Sequence, residues 1–143
     1  MPNHINNYLS VEGNTSEIAA FFKKATSGAK EFGFEPFVPL PVEKIKSDWD
    51  IIDLWGTDRN CYSIKLEIPN VYFQTAYCFP SAVLLAMSIQ FPSLVFTDQW
   101  VDEYTENLGI VVCKNGECSL LEEDTIVTGG EQNRLNFKVQ AIA

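Results

Sequence analysis

Histidine is nearly absent from this chain of 143 residues, and the single one, His4, lies close to its start. A Ser-His-Asp or Cys-His catalytic group would have to recruit that residue from what reads as a polar, mobile tail, a poor place for a base. Cysteine is scarce too. The four, at 61, 78, 113 and 118, are irregularly spaced, which argues against a secreted disulfide framework and leads us to expect reduced thiols in a cytoplasmic protein. Cations are in short supply: ten Lys and Arg stand against nineteen Asp and Glu, a formal net charge of −9. A field of that sign repels phosphate backbones and anionic lipid, so neither nucleic acid nor membrane is expected as a partner, whereas encounter with a basic protein surface is favoured. Long hydrophobic runs are missing as well. The start Met1-Pro2-Asn3-His4 has no cationic or apolar leader segment, and the uncharged stretch Val71 to Thr97 is interrupted by Pro80, Gln90 and Pro92.

With 46% hydrophobic and 20% charged residues, the chain has the composition of a sequence that folds, and its length suits one core. We therefore expect a single domain over residues 1–143. The acidic excess is uneven. Residues 1–47 hold five basic and five acidic groups, while residues 48–143 hold five basic and fourteen acidic ones.

Periodicity supplies the element order. Ile5 and Tyr8-Leu9-Ser10-Val11 read as a first strand stopped by Glu12-Gly13-Asn14. Asn14 or Thr15 then caps a helix, with Glu17 in capping-box position and Ile18, Phe21, Phe22 and Ala25 on its buried face; Lys30 falls near its end. Three prolines between Pro36 and Pro41 make the next segment a loop that carries apolar side chains. Ser47 and Asp50 resemble a second capping box before a short helix that Gly56 stops. Tyr62, Ile64, Leu66 and Ile68 alternate, as do Val71, Phe73, Thr75 and Tyr77, so Pro69-Asn70 turns a hairpin. A helix without a charged residue follows from Pro80 to Gln90, and Pro92 ends it. Strands begin at Leu94 and Ile110, and Asn115-Gly116 is a strong hairpin turn leading to Cys118-Ser119-Leu120-Leu121; Leu135, Phe137 and Val139 alternate once more. The expected fold is α+β: a ferredoxin-like β-α-β-β-α-β antiparallel sheet with two helices on one face, a core over about 5–103, and a C-terminal β extension over about 107–143.

Four short motifs in that order resemble the YubB-type ferredoxin-like family of plasmids, phages and genomic islands. They are the opening Met1-Pro2-Asn3, Trp55-Gly56-Thr57, the strand Phe73-Gln74-Thr75-Ala76-Tyr77, and the step Phe91-Pro92-Ser93-Leu94-Val95-Phe96. The resemblance spans roughly residues 1–120 and implies a fold and a mobile-element setting, with no established enzymatic activity. The chain departs from the family at His4, where Trp is usual, and at Asp58-Arg59-Asn60 after the Trp-Gly-Thr motif.

No catalytic, cofactor or metal residue stands out. Cys113 and Cys118 form a C-x4-C spacing that lacks the second half of a zinc knuckle, and across a two-residue hairpin they face one another closely enough for a disulfide under oxidation. Asp48, Asp50 and Asp53 match no Ca²⁺ loop, and the first two suit a helix N-terminus. Tyr72, Phe73 and Tyr77 imitate a base-stacking platform, but without a basic frame. Trp55, Gly56 and Thr57 are read as structural. The sharper candidate is an acidic segment in which Asp98, Asp102, Glu103 and Glu106 surround Trp100 and Tyr104, with Trp100 as anchor and the carboxylates as rim for a basic partner. The uncharged helix 80–91 needs a cover, either the loop Phe34 to Leu40, which is preferred, or a second copy in a homodimer. The function expected is a small acidic interaction module of a mobile element, acting in counter-defence or regulation. An enzyme with an unrecognised carboxylate or metal site and a nucleic-acid-binding module are the alternatives.

Overall fold

The alternation Ile5, Asn7, Leu9, Val11 builds the central strand β1, His4–Glu12, with those four side chains buried on one face. In the computed structural model, which describes residues 3–28 and 31–123 and the last three of these by backbone alone, β1 pairs antiparallel with strands on both sides. His4 is thus the first residue of the central strand rather than part of a mobile tail, and its Nδ1 lies 2.7 Å from the Tyr62 hydroxyl.

Helix α1, Thr15–Ala25, starts at Asn14, whose side-chain oxygen accepts the Ser16 N–H at 2.8 Å. The capping box expected with Glu17 does not close, because Glu17 accepts a hydrogen bond from the Ser93 hydroxyl instead. Phe21, Phe22 and Ala25 are buried, as the helical spacing requires. Lys30 lies outside the described residues. The proline-rich loop delivers aromatic rings to the core: Phe37 stacks on Phe21 at 5.2 Å between centroids, and Phe34 meets Trp55 edge-on at 5.6 Å. Helix α2, Asp48–Trp55, carries the Asp50 half of the capping box, with Oδ2 accepting the Ser47 N–H at 3.2 Å. Gly56 ends it with φ +86, and a Cβ there would lie 2.7 Å from the Ser81 nitrogen, so both the turn and the close approach require glycine.

Strands β2, Tyr62–Glu67, and β3, Asn70–Ala76, form the expected hairpin, but with an irregularity. The register shifts between Tyr62 and Lys65, where Ser63 takes φ +53, so Tyr62 pairs with Gln74 while Leu66 pairs with Val71. A bulge therefore sends Tyr62 and Leu66 to opposite faces, which simple alternation could not foresee. Helix α3, Ser81–Gln90, is followed by β4, Val95–Asp102, β5, Leu108–Lys114, and β6, Glu117–Glu123. Asn115 and Gly116 both have positive φ, the geometry of the tight turn that joins β5 to β6. The strand foreseen around Leu135, Phe137 and Val139 lies outside the described residues.

Among the described residues six strands make one antiparallel sheet in the order β2-β3-β1-β4-β5-β6, and three α-helices accompany it. Side chains from α1, α2 and α3 share one buried cluster with Leu9, Val11, Val71, Phe73, Phe96 and Val111. Among the described residues no helix is long and apolar enough to cross a membrane. Cys113 and Cys118 are joined by a disulfide, whereas reduced thiols were expected; the two face each other in the hairpin register with Cα atoms 4.1 Å apart, which is what brings the sulfurs together. Cys61 and Cys78 are free.

Candidate functional site

Strand β4 lies between β1 and β5, and its alternation decides which of the acidic and aromatic residues near residue 100 reach solvent. Phe96, Asp98 and Trp100 point to the buried face opposite Val11, Leu9 and Asn7. Trp100 is only 8% exposed, and its ring stacks under Phe79 at 5.3 Å with 11° between the planes. The exposed indole anchor expected from sequence is therefore absent, because a central strand with Phe96 inward must turn Trp100 inward as well. Asp98 leaves the expected acidic rim for the same reason. It is 0% exposed, neither carboxyl oxygen has a hydrogen-bond partner among the described residues, and burial pushes the carboxyl up to about 8.

The turn after β4 has a different character. Asp102 binds the side-chain amide of Asn3 through both oxygens at 2.9 Å, and its Oδ1 also accepts the N–H groups of Tyr104 and Thr105 at 2.8 and 3.2 Å. Partial burial pushes this carboxyl up, but those hydrogen bonds outweigh it and hold the group below the ordinary aspartate range. The backbone closes the same turn, with the Glu106 N–H on the Asp102 carbonyl and the Asp102 N–H on the Asn107 carbonyl, each at 2.8 Å. Glu103 accepts from the Asn6 amide at 2.9 Å and from the Gln74 amide at 3.3 Å, which ties the turn to β1 and β3. The Tyr104 side chain takes part in none of these bonds and the residue is 85% exposed; Glu106 is exposed beside it with φ +63. Of the six residues of the acidic segment, Asp102, Glu103, Tyr104 and Glu106 gather on one braced turn, while Asp98 and Trp100 lie on the buried face of β4. Asn3, Asn6 and Gln74 were not connected with the acidic turn in the sequence, because isolated amides distant in the chain carry no spacing signal.

The remaining candidates occupy separate places. Trp55 is buried with its indole N–H on the Val38 carbonyl at 2.8 Å, and the Thr57 hydroxyl donates to the Ala76 carbonyl at 2.7 Å, so this motif fastens the loop and β3 to α2. Phe73 is a core residue and Tyr77 follows β3 with φ +67, so the three residues read as an aromatic platform do not share a surface. Tyr72 stacks instead on Tyr8, its direct cross-strand partner, at 4.5 Å. Among the described residues no group of three His, Cys, Asp or Glu side chains is placed to hold a metal, Asp48, Asp50 and Asp53 included. The Cys61 thiol borders a small cavity with Phe32 and Asn60, and burial raises it to about 12, which keeps it protonated and a poor nucleophile. The proline-rich loop reaches the end of α3, where the Gln90 amide donates to the Phe37 carbonyl at 2.8 Å, yet it leaves Leu85 and Ile89 exposed.

The turn displays an exposed tyrosine beside the exposed carboxylates of Glu103 and Glu106. The chain matches no family model, no curated protein and no solved structure.

Proposed function

We propose that this protein is a small acidic interaction module that docks a basic protein surface through the turn Asp102–Glu106, with Tyr104 as the anchoring side chain and Glu103 and Glu106 as its charged flanks. The observation that carries the reading is the pairing of a fully braced backbone with an 85% exposed tyrosine at Tyr104. A turn already held in one conformation loses little freedom on binding, and tyrosine supplies large contact area at low entropic cost. The acidic excess of the second part of the chain supports the sign of the partner. The same proposal includes a ferredoxin-like arrangement for the core, supported by the order β2-β3-β1-β4 with antiparallel pairing and by the packing of α1 and α3 into one cluster. It also includes the mobile-element setting of the YubB-type family, and within it a role in counter-defence or regulation. The exposed Leu85 and Ile89 on α3 are the place where a second copy would add a homodimer contact.

A photo-crosslinking residue placed at position 104 tests the docking reading. Irradiation in cell extract is expected to give a discrete adduct with a basic protein, and the added Glu106→Lys change is expected to abolish it. Adducts that ignore the charge reversal, or none at all, would overturn the proposal. Asp102 is unsuitable for this charge reversal, because its replacement would dismantle the turn itself.

A further inference from the structure

Buried polar atoms of four side chains have no hydrogen-bond partner among the described residues: both Asp98 carboxyl oxygens, the Asn7 Oδ1, the Trp100 indole N–H and the Thr97 hydroxyl, of which Thr97 alone points to the other face of the sheet. The other three belong to one neighbourhood. Asn7 sits directly opposite Trp100 in the β1–β4 register, Asp98 is diagonal to Asn7, and all three side chains are buried on the face that α3 covers. The orientation of Asn7 is fixed, because its Nδ2 already donates to the Ile5 carbonyl at 3.1 Å and the Thr75 hydroxyl at 3.0 Å, which leaves Oδ1 as the free end.

Among the described residues no cation lies in the strand register around the carboxyl. From β1 its neighbours are Asn7, Leu9 and Val11; from β5 they are Gly109, Val111 and Cys113, whose sulfur is in the disulfide; from β4 they are Phe96 and Trp100. Helix α3 contributes Val83, Leu84 and Met87 to the buried cluster and has no charged residue anywhere along its length. An ionised carboxylate in such surroundings is costly, and two acceptors, Asp98 and Asn7, cannot satisfy one another without a proton between them. A bound cation would suit the oxygens but not the indole N–H, which is a donor only.

We propose that Asp98, Asn7 and Trp100 form a buried binding site for one water molecule, with Asp98 as the neutral acid, and that removal of its proton loosens the seating of α3 on the sheet. The hydrogen bonds then balance. The water accepts from the Trp100 N–H and donates to the Asn7 Oδ1 and the Asp98 carbonyl oxygen, while the Asp98 O–H donates to the second lone pair of Asn7 or to the water. Such a site explains why a helix with no charge lies over a carboxyl with no partner. The raised proton affinity of Asp98 agrees with this arrangement.

Two readouts test it in the unaltered protein. The Trp100 indole proton is expected to show a magnetisation-transfer contact to a long-lived bound water. Amide hydrogen exchange of α3, corrected for the intrinsic effect of pH, is expected to quicken by up to about tenfold per pH unit between about pH 5 and about pH 8. In Asp98→Asn the corrected exchange of α3 is expected to be independent of pH over that range. The proposal is overturned if the indole shows no bound water, if the exchange of α3 in the unaltered protein is flat with pH, or if Asp98→Asn keeps the wild-type slope. Stabilisation of the unaltered protein by Mg²⁺ or Ca²⁺, lost in Asp98→Asn, would likewise overturn it in favour of a cation site.

Discussion

Two aspartates on strand β4, four residues apart, have opposite fates. Asp98 is central, shielded by neighbouring strands and a helix, and has no hydrogen-bond partner among the described residues; Asp102 ends the strand and accepts four hydrogen bonds from three donors, the Asn3 amide and the Tyr104 and Thr105 N–H groups. Burial without hydrogen bonds raises the first carboxyl, and hydrogen bonds at partial burial lower the second. Sequence composition counts both as one negative charge, but only the end of the strand offers that charge to a partner. The surface that we propose for docking is therefore smaller than the acidic segment suggests, and better ordered.

The largest effect that separates the two sites is the dependence of stability on pH at Asp98. A carboxyl raised to about 8 in the folded protein, against an unfolded value near 4, binds its proton more tightly when folded, so its contribution is full below about pH 4 and is lost as pH rises to about 8. Asp98→Asn removes that loss. Chemical denaturation should show the variant close to wild type at about pH 4 and more stable by several kcal/mol, to order of magnitude, at about pH 8.

Reducing the Cys113–Cys118 bond probes the β5 side of the Asp98 neighbourhood, since Cys113 is buried on the same face. A closed loop of this size restrains the unfolded chain, and its opening should cost about 2 kcal/mol in a denaturant titration with and without reductant. A smaller effect is expected at the other aspartate. Asp102→Ala unties the turn and should cost about 1–2 kcal/mol, allowing for solvent competition at a partly exposed site. Its pH signature has the opposite sense. The depressed carboxyl contributes above its unfolded value near 4, and that contribution disappears as pH falls through the folded value, so wild type and Asp102→Ala should converge in acid. Faster amide exchange at Tyr104 and Thr105 in the variant would locate the loss in the turn. Least of all should Tyr104→Ala disturb the fold: an unchanged melting temperature with lost partner adducts would separate docking from stability.

The contrast also explains what could be read from sequence. Helix and strand order followed from the spacing of Phe21, Phe22 and Ala25, from the capping pattern around Asp50, and from Asn115-Gly116, all of which are local effects. Residues that depend on neighbours distant in the chain were harder. The inward turn of Trp100 was legible in principle, since a strand running from Leu94 through Trp100 demands it by period-two alternation from Phe96, but the surrounding carboxylates were read as a surface cluster instead. The Ser63 bulge that separates Tyr62 from Leu66 leaves no such trace. Nor does the bracing of Asp102 by Asn3, which joins residues 99 positions apart. The disulfide was visible as a consequence of hairpin register, whereas composition pointed to free thiols.

Carboxyl-selective NMR titration of Asp98 and Asp102 in one sample tests the division of β4 most directly. The account predicts two well-separated midpoints, with Asp98 at about 8 and Asp102 below the ordinary aspartate value of 3.8. A common midpoint near that ordinary value, or an Asp98 already ionised at neutral pH, would contradict it.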